Sequence, residues 1–354
     1  MYDVVIVGAG PVGCRVGELL GKKGLRILIL EEHPEIGKPV QCAGLVSHRI
    51  FDLSEVSKNV VVNKVEKARF FSHNGNYIEL KHKKSVYVID REKFDKELAK
   101  KAQDVGVEIK TAKFVDYEKD EECLKVKSMK NSFQTRLLVG ADGPNSSVAR
   151  VSGIKVPENI LTGVQSIIES KFDPDHVELW FGSDFAPDFF GWVIPESKGQ
   201  ARVGLATAKN VKERFKKFLK KRFDKPVKEK SKLAGVIRFG VIDDSVADRV
   251  LLVGDAASQV KPFSGGGLIY GLTGARIAAE ACIRCLEEDR YNQLFLKENY
   301  DDVWKKELIG PIMKGLLLNK MIHSFSDKKL SISFSLIRKG KFTKLLEFLD
   351  MDLL

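Results

Sequence analysis

The most constraining feature of the chain is a glycine-rich turn between a strand and a helix near residue 8. The sequence YDVVIV predicts a buried strand, and Gly8, Gly10 and Gly13 follow it at the spacing GxGxxG. At this spacing the first glycine makes a tight turn, the second lets the backbone approach a pyrophosphate, and the third lets the helix pack closely on the strand. The N–H groups at the start of the helix then face the anion.

A second strand and an acidic residue complete this unit. The helix is predicted to run to about Lys23 and to stop at Gly24, and the apolar sequence LRILIL then predicts a buried strand. Glu31 ends that strand, where a carboxylate accepts hydrogen bonds from ribose hydroxyls and repels a 2′-phosphate. A lone GxGxxG motif is weak evidence, but strand, glycines, helix, strand and acid in this order predict a dinucleotide-binding βαβ unit.

A second glycine-rich segment, LLVGDAASQVKPFSGGG, lies late in the chain. An apolar strand ends at Gly254, Asp255 follows at once, and a loop leads into a long apolar helix that starts near Leu268. The Asp255 carboxylate can accept hydrogen bonds from ribityl hydroxyls. The N–H groups of Gly266–Leu268 can face the pyrimidine end of an isoalloxazine, where negative charge accumulates on reduction. The two segments together predict one bound FAD.

Length and charge limit the class of protein. A chain of 354 residues with 44% hydrophobic residues suits two domains with large cores. Lysine and arginine outnumber aspartate and glutamate by 59 to 48, and the excess lies mainly in residues 209–232 and in the last fifty residues. These lysines alternate with acidic and apolar residues and lack an RNA-binding pattern, so we expect no nucleic-acid partner. A solvated helix face and a surface for anionic lipid or a phosphorylated substrate both stay open.

Targeting and cysteine patterns are simple. No apolar stretch approaches the ~18 residues that span a bilayer, and the chain begins beside a core strand, so we expect a cytoplasmic protein, either free or peripheral at the inner face of the cell membrane.

The five cysteines include one CxxC pair, Cys282 and Cys285, within a helical run. We therefore expect reduced thiols, with this pair at ordinary helix positions, and no metal site.

The order of predicted elements indicates an α/β fold. We predict a Rossmann-like FAD-binding domain that is discontinuous in sequence, an antiparallel-sheet substrate domain and a helical C-terminal region. A basic helix is predicted at about residues 211–223, and a break in the C-terminal helices at Gly310–Pro311. The predicted bounds are 1–59, 85–155 and 236–290 for the FAD-binding domain, 60–84 and 156–235 for the substrate domain, and 291–354 for the helical region.

Several further blocks carry a resemblance to a known family. They are GKPVQCAG, IDREKFD, LVGADGPNS and PDFFGWVIP, beside VGAGPVG with Glu31 and VGDAASQVKPFSGGGLIYG. With these blocks, roughly residues 1–285 resemble the geranylgeranyl reductase family, flavoproteins of the p-hydroxybenzoate hydroxylase-like superfamily that saturate isoprenoid double bonds. The resemblance implies an FAD-dependent reductase that acts on a long-chain isoprenoid lipid.

The motifs and the resemblance together predict the cofactor site. The cysteine loop and the arginine of IDREKFD are expected beside FAD, and the Asp-Gly block is expected to turn tightly next to it, as in the superfamily. The predicted cofactor-binding residues are Gly8, Gly10, Val12, Gly13, Glu31, Cys42, Ala43, Gly44, Arg91, Asp142, Asp255, Gly266, Gly267 and Leu268.

The block PDFFGWVIP resembles the family's substrate-cavity signature. Pro187, Phe190, Trp192 and Pro195 match its spacing, but Phe190 stands where the family usually has tyrosine and Ile194 where it usually has phenylalanine. The resemblance implies an apolar tunnel over the flavin. The alternative is that this aromatic run is only the core face of a sheet. The residues predicted to bind substrate are Phe189, Phe190, Trp192 and Ile194.

The implied reaction needs a hydride and a proton. An unactivated alkene must be held about 3–3.5 Å from the hydride donor while water is excluded. Cys42 is the predicted proton-side catalytic residue, because a thiol with an ordinary pKa of ~8.5 stays mostly protonated at neutral pH; a lone loop cysteine with no function is the alternative. The electron donor is expected to be NAD(P)H or a ferredoxin, since no second GxGxxG is present.

Two other classes of flavoprotein share some of these motifs. An FAD-dependent monooxygenase of an aromatic or quinone-type substrate explains the nucleotide motifs equally well, but it leaves the PDFFGWVIP and cysteine blocks unexplained. An electron-transfer flavoprotein would need an iron–sulfur site, and five scattered cysteines do not form one. For the reductase, the substrate alternatives are an archaeal-type digeranylgeranyl glycerophospholipid, a free prenyl diphosphate and the tail of a quinone or chlorophyll.

Overall fold

The computed structural model describes residues 1–339, apart from the side chains of residues 82, 83 and 339. The strands, in chain order, are β1 Tyr2–Val7, β2 Ile27–Glu31, β3 Leu45–Ser47, β4 Val61–Phe71, β5 Tyr77–Ile89, β6 Glu108–Thr111, β7 Phe114–Lys119, β8 Leu124–Ser128, β9 Ser132–Gly140, β10 Ile160–Glu169, β11 His176–Gly182, β12 Ala186–Ser197, β13 Gln200–Thr207, β14 Lys228–Arg238, β15 Val246–Ala247 and β16 Val250–Leu252. The α-helices are α1 Pro11–Gly21, α2 Arg49–Ser54, α3 Arg91–Asp104, α4 Ser147–Val151, α5 Val211–Arg222, α6 Leu268–Glu288, α7 Gln293–Leu296, α8 Asp302–Ser324 and α9 Asp327–Lys339.

The first sheet has the order β15-β16-β9-β1-β2-β6, with β7 and β8 beside β9. Strands β1, β2, β6, β9 and β16 are paired in parallel, which requires crossover connections through helices. Helices α1, α3 and α6 pack together and cover the sheet. Strand β1 is a near-continuous apolar run because both faces of such a sheet are buried.

The second sheet has the order β14-β10-β13-β12-β11-β4-β5-β3. Its pairs are antiparallel as predicted, except that β4 and β11 run parallel. One face packs against α5, through Phe215 and Phe218. The other face packs against α9, through Leu330 and Phe334. The fold is therefore α/β, with a Rossmann-like sheet, a largely antiparallel second sheet and a helical C-terminal region.

Two of the predicted domain boundaries fall inside strands. Strand β5 crosses the boundary at residue 84 and β14 crosses that at 235, because each continues its pairing with β4 or β10 beyond the predicted end. Strand β3, predicted with the FAD-binding domain, pairs with β5 in the second sheet. The division into domains stays a prediction, with these three segments belonging to the second sheet.

The C-terminal helices differ from expectation at one point. Helix α8 continues through Pro311, so the predicted break at Gly310–Pro311 is wrong. The following turn lies between Ser324 and Asp327, where α8 ends and α9 begins. The predicted continuation of helix to residue 354 lies partly outside the described residues.

Candidate active site

The start of α1 meets the carboxyl end of β1 through three glycines. Gly8 has φ +102°, and a Cβ there would collide with the carbonyl oxygen of Ala141. A Cβ on Gly13 would collide with the Gly8 carbonyl oxygen, whereas a Cβ on Gly10 would meet no atom within 4 Å. The protein's own packing therefore requires glycine at 8 and 13. The open space at Gly10, the residue before α1, leaves room for a ligand, and no side chain caps the helix there.

Glu31 lies beside this helix start. Its carboxylate accepts hydrogen bonds from the backbone N–H of Ala9 at 2.8 Å and of His33 at 2.9 Å. The carboxylate is thus fixed at the end of β2, next to the glycine turn. It keeps acceptor capacity for ribose hydroxyls, because each oxygen has two lone pairs.

The second glycine-rich segment packs directly on the first. Val12 lies between Gly254 and Gly271, and a Cβ on either glycine would approach the Val12 side chain to 3.2 or 2.7 Å. The predicted cofactor contact of Val12 stays a prediction. Its observed packing joins α1 to α6, so the two uncapped helix N-termini belong to one site.

The Asp255 side chain lies in space beside the start of α6, although the residue precedes that helix in the chain. A Cβ on Gly267, the residue before the helix, would collide with the Asp255 carboxylate. Burial raises the Asp255 pKa to about 6, and the charge of Arg91 opposes that shift. Within the described residues no hydrogen-bond donor reaches this carboxylate. A half-buried carboxylate without a donor from the described residues, beside a helix N-terminus, fits a hydroxyl-bearing ligand.

Arg91 lies between Asp95 and Cys42. Its guanidinium forms two hydrogen bonds of 3.0 Å with the Asp95 carboxylate. Burial lowers the Arg91 pKa, but the charge of Asp95, together with the contacts to Asp95 and to the Cys42 sulfur, outweighs burial and raises it above its ordinary value. The structure therefore brings the predicted residues Arg91, Cys42 and Asp255 into one region. Two N–H groups of the Arg91 guanidinium are already used by the Asp95 carboxylate.

The loop that carries Cys42 is held by a residue that sequence analysis missed. Arg202 on β13 donates to the carbonyl oxygens of Ala43, at 2.7 Å, and Ile89, at 3.0 Å, and pairs with Glu196 at 2.7 Å. Gly44 has φ +70°, and a Cβ there would collide with the Arg202 guanidinium. The available signal was a charged residue at the buried centre of the strand sequence QARVGLAT.

The Asp142 side chain binds the start of α4, and its predicted cofactor contact stays a prediction. Its carboxylate accepts hydrogen bonds from the Ser146 hydroxyl at 2.6 Å and from the N–H groups of Ser147 and Val148 at 2.7 and 3.0 Å. Burial raises its pKa, against these hydrogen bonds. The side chain thus satisfies the start of α4, and only its backbone, near Gly8, borders the nucleotide turn.

A cavity of about 260 Å³ lies between the second sheet and the loop before α6. The predicted substrate residues Phe189, Phe190, Trp192 and Ile194 all line it, together with Cys42. The Trp192 indole donates to the Gln165 side-chain oxygen at 2.8 Å, which fixes the ring.

The same aromatic residues are also core residues. Phe189 and Phe190 stack with their ring centroids 4.2 Å apart, and both are buried in the cluster that includes Phe263. The core interpretation and the cavity interpretation therefore describe the same wall. Contact of these aromatic residues with a substrate stays a prediction.

Lys261 is a second residue that sequence analysis missed. It lies in the loop VKPFSGGG, is only 4% exposed and lines the cavity. A Cβ on Gly266 would lie 3.1 Å from the Lys261 Cε, so the side chain runs beside the start of α6. A buried cation at a helix N-terminus adds to the positive potential there. The available signal was a charged residue within an otherwise apolar and glycine-rich loop.

These features fit FAD. Two uncapped helix N-termini suit the pyrophosphate and the pyrimidine end of the isoalloxazine, and Glu31 and Asp255 offer acceptors to the ribose and ribityl hydroxyls. The Cys42 loop and the aromatic cavity lie on the same side as the start of α6.

Comparisons with known proteins identify an FAD-binding protein. A family model described as FAD binding domain matches residues 1–297. An uncharacterized protein of Methanocaldococcus jannaschii is 34% identical, with 99% of this chain and 92% of the relative covered. Digeranylgeranylglycerophospholipid reductase 1 of Methanococcoides burtonii is 30% identical, with 100% and 90% covered.

A solved structure shares the fold. The geranylgeranyl bacteriochlorophyll reductase-like protein of Thermoplasma acidophilum superposes with a TM-score of 0.86 at 24% identity, with 99% of this chain and 92% of that chain covered. This likeness concerns the architecture, whereas the family model and the sequence relatives establish the family. The protein binds FAD, and the chain belongs to the geranylgeranyl reductase family of FAD-dependent oxidoreductases.

Proposed function

We propose that the protein saturates double bonds of geranylgeranyl chains, carried by archaeal-type membrane phospholipids or by their prenyl precursors. The observation that carries this proposal is the aromatic cavity that opens beside both Cys42 and the start of α6. Relatives named digeranylgeranylglycerophospholipid reductase support the substrate class. Reduced FAD supplies the hydride, and the chain supplies the shape of the cavity and the proton.

The cavity walls hold the alkene and exclude water. Apart from a few polar groups the lining is aliphatic or aromatic, and the Trp192 N–H is already satisfied by Gln165. An apolar chain therefore displaces water from most of this wall at little cost. The exception is the Ser264 hydroxyl, which lines the cavity and has no hydrogen-bond partner among the described residues. Phe190 carries no hydroxyl, so this wall selects by shape rather than by a hydrogen bond at that position.

Cys42 is proposed to deliver the proton. Its sulfur accepts a hydrogen bond from the Gly44 N–H at 3.3 Å and lies on the cavity wall, and Arg202 holds the loop in place. One alkene carbon receives the hydride and the other the proton, so the thiol must be re-protonated from solvent. Cys42→Ser is expected to retain FAD and to slow alkene reduction at least ~tenfold. Wild-type turnover in this variant would remove Cys42 from the mechanism.

Anaerobic reoxidation of the reduced protein tests the substrate class. The flavin absorbance should return when a digeranylgeranyl glycerophospholipid or geranylgeranyl diphosphate is added, and the saturated archaeal lipid should leave it reduced. The ratio of the two rates ranks the headgroups. Rapid oxygen-dependent NADPH consumption with aromatic substrates, and no response to prenyl lipids, would favour the monooxygenase instead.

The electron donor is proposed to be NAD(P)H or a ferredoxin. Mixing the oxidised protein anaerobically with NADH, NADPH or reduced ferredoxin separates these donors by the rate of flavin bleaching. A donor that bleaches the flavin more slowly than the steady-state rate of alkene reduction cannot sustain that turnover and is rejected.

A lipid substrate also requires access to a bilayer. No helix in the described part of the chain is both long and apolar enough to cross one. We therefore propose a cytoplasmic protein that binds peripherally at the inner face of the membrane. The basic segment 209–232 and the C-terminal helices were the two predicted contact surfaces.

A further inference from the structure

Exposed apolar side chains are concentrated on α8, α9 and the turn between them. Of the fourteen large apolar side chains exposed in the described part of the chain, six lie between residues 313 and 336, with exposed fractions from 41% to 69%. On a helix, residues four apart share one face, so those of α8 form one stripe and those of α9 another. We call this surface the α8–α9 apolar face; it consists of Met313, Leu317, Met321, Phe325, Ile332 and Leu336.

These side chains are not the core side of the two helices. Ile312 and Gly315 of α8, and Leu330 and Phe334 of α9, are buried on the protein side. Leu330 and Phe334 belong to the same cluster as Phe189 and Phe190 of the cavity wall. The helices are therefore apolar on both sides, which is typical of a surface that meets a partner or a membrane.

The charge around this face has one sign. Lys314, Lys320, Lys328, Lys329 and Arg338 are exposed, and none of them pairs with an acidic side chain within the described residues. From residue 308 to 339 the sequence has one acidic residue, Asp327. Its carboxylate accepts hydrogen bonds from the Ser183 N–H at 3.1 Å and hydroxyl at 2.7 Å, so it is engaged elsewhere.

Helix α5 offers a comparison on the same protein. Like α8 and α9 it carries exposed lysines, but Glu213 pairs with Lys217 at 3.1 Å and its large apolar residues Phe215 and Phe218 are buried. It also lies on the opposite face of the second sheet. Helix α5 is thus a solvated basic surface, whereas the α8–α9 face combines unpaired cations with exposed apolar groups.

We propose that the α8–α9 apolar face docks the protein on an anionic lipid bilayer. Apolar side chains enter the boundary between headgroups and acyl chains, and the surrounding cations contact the phosphates. A second copy of this chain is the less favourable occupant, because a symmetric contact would bring ten like charges together. The proposal rests on the proposed function only in that a lipid substrate resides in the bilayer.

Docking by this face would place the substrate domain at the membrane. The buried side of α9 packs on the aromatic wall of the cavity, so one helix layer separates that wall from the proposed lipid contact. Docking and substrate entry would then occur at the same domain, while the FAD sheet faces the cytoplasm.

Vesicle flotation with charge-matched variants tests the proposal. The holoenzyme is mixed at low salt with vesicles of equal parts phosphatidylglycerol and phosphatidylcholine. The variant Leu317→Glu/Leu336→Glu should lose at least ~tenfold in vesicle affinity, because two exposed apolar side chains that are proposed to enter the bilayer are replaced by charges. The control Lys216→Gln/Lys220→Gln on α5 lowers the net charge by the same two units and should change affinity less than ~twofold.

Two results would overturn the proposal. Flotation of the Leu317→Glu/Leu336→Glu variant at wild-type affinity would show that this face does not enter the bilayer, and an equal loss in the α5 control would show that net charge alone governs binding. A wild-type dimer that the variant converts to a monomer, with no vesicle binding, would assign the face to a second copy instead.

Fold and reductase activity are scored separately. The FAD content of each variant reports folding. Turnover of a detergent-dispersed prenyl lipid should be the same in the Leu317→Glu/Leu336→Glu variant and the wild type, since neither residue lines the cavity. Flotation without any prenyl reduction would retain the docking surface and reject the proposed function.

Discussion

The two sheets meet the same cavity region but are constrained in different ways. At the end of the parallel sheet, Gly8 and Gly13 face backbone carbonyls at distances that leave no room for a Cβ. On the second sheet, the cavity is bounded by side chains such as Phe190 and Trp192, which pack on other side chains. The cofactor end is therefore set by backbone sterics and tolerates almost no change, whereas the cavity end is set by side-chain volume and can be retuned.

The largest effect is expected at Gly13. Gly13→Ala places a Cβ against the Gly8 carbonyl oxygen, which cannot move without displacing β1, so we expect a loss of more than ~3 kcal/mol in the free energy of unfolding. Chemical denaturation measures this. Gly310→Ala is the matched control, because a Cβ there meets no atom within 4 Å and alanine favours a helix. Equal stability of the two variants would contradict the steric account.

Gly10→Val separates the ligand's requirement from the protein's. The open space around Gly10 predicts a folded protein that retains at least ~tenfold less FAD, because the side chain enters the space assigned to the pyrophosphate. Flavin absorbance after gel filtration and the melting temperature of the FAD-free protein measure the two effects. A variant that binds FAD normally would move the pyrophosphate away from α1.

Asp255 gives the cofactor end a pH dependence. Its pKa is about 6 in the fold against 3.8 for the ordinary group, so the folded FAD-free protein holds a proton that the unfolded chain has released. The favourable contribution of protonated Asp255 to the free energy of unfolding is fully present below pH ~4. It is lost as the pH rises to ~6, which lowers the free energy of unfolding by up to about 3 kcal/mol. Unfolding of FAD-free wild type and Asp255→Asn across this range should show the loss only in the wild type. Parallel curves of stability against pH for the two proteins would contradict the raised pKa of Asp255.

Lys261 lies where the cofactor end meets the cavity end, because it lines the cavity and runs beside the start of α6. We expect its replacement to have a moderate effect on the reduction potential of bound FAD. Replacing this buried cation with methionine removes positive potential at the start of α6, at a cost to the anionic reduced state on the order of 1–2 kcal/mol. The reduction potential of bound FAD in Lys261→Met should fall by ~20–45 mV, as measured against a redox dye. An unchanged potential with full FAD content would place the ammonium group away from the flavin.

The smallest effect on FAD binding is expected at the cavity end. Trp192→Ala enlarges the cavity and leaves the buried Gln165 side chain without its donor, so we expect stability to fall by ~3 kcal/mol while FAD is retained. The chain-length preference among prenyl substrates should change by ~tenfold or less. An unaltered product profile would assign Trp192 to the core alone.

The same contrast explains what the sequence could predict. The glycine turns, the basic helix α5 and the helical positions of Cys282 and Cys285 follow from local sterics and periodicity, and all are present. These features depend on residues close together in the chain.

Other features depend on distant residues and were missed. Arg202 holds Ala43 from a strand far along the chain. Strand β5 crosses the predicted domain boundary at residue 84 because β4 continues to pair with it. Partners of this kind come from tertiary packing, which no local pattern records.

The central claim is that the FAD site and the aromatic cavity together reduce a prenyl alkene. The purified protein, reduced with dithionite under anaerobic conditions, should convert a digeranylgeranyl glycerophospholipid into species heavier by about 2 Da for each bond saturated, as seen by mass spectrometry. A lipid of unchanged mass, after incubation with fully reduced protein that retains its FAD, would contradict the account.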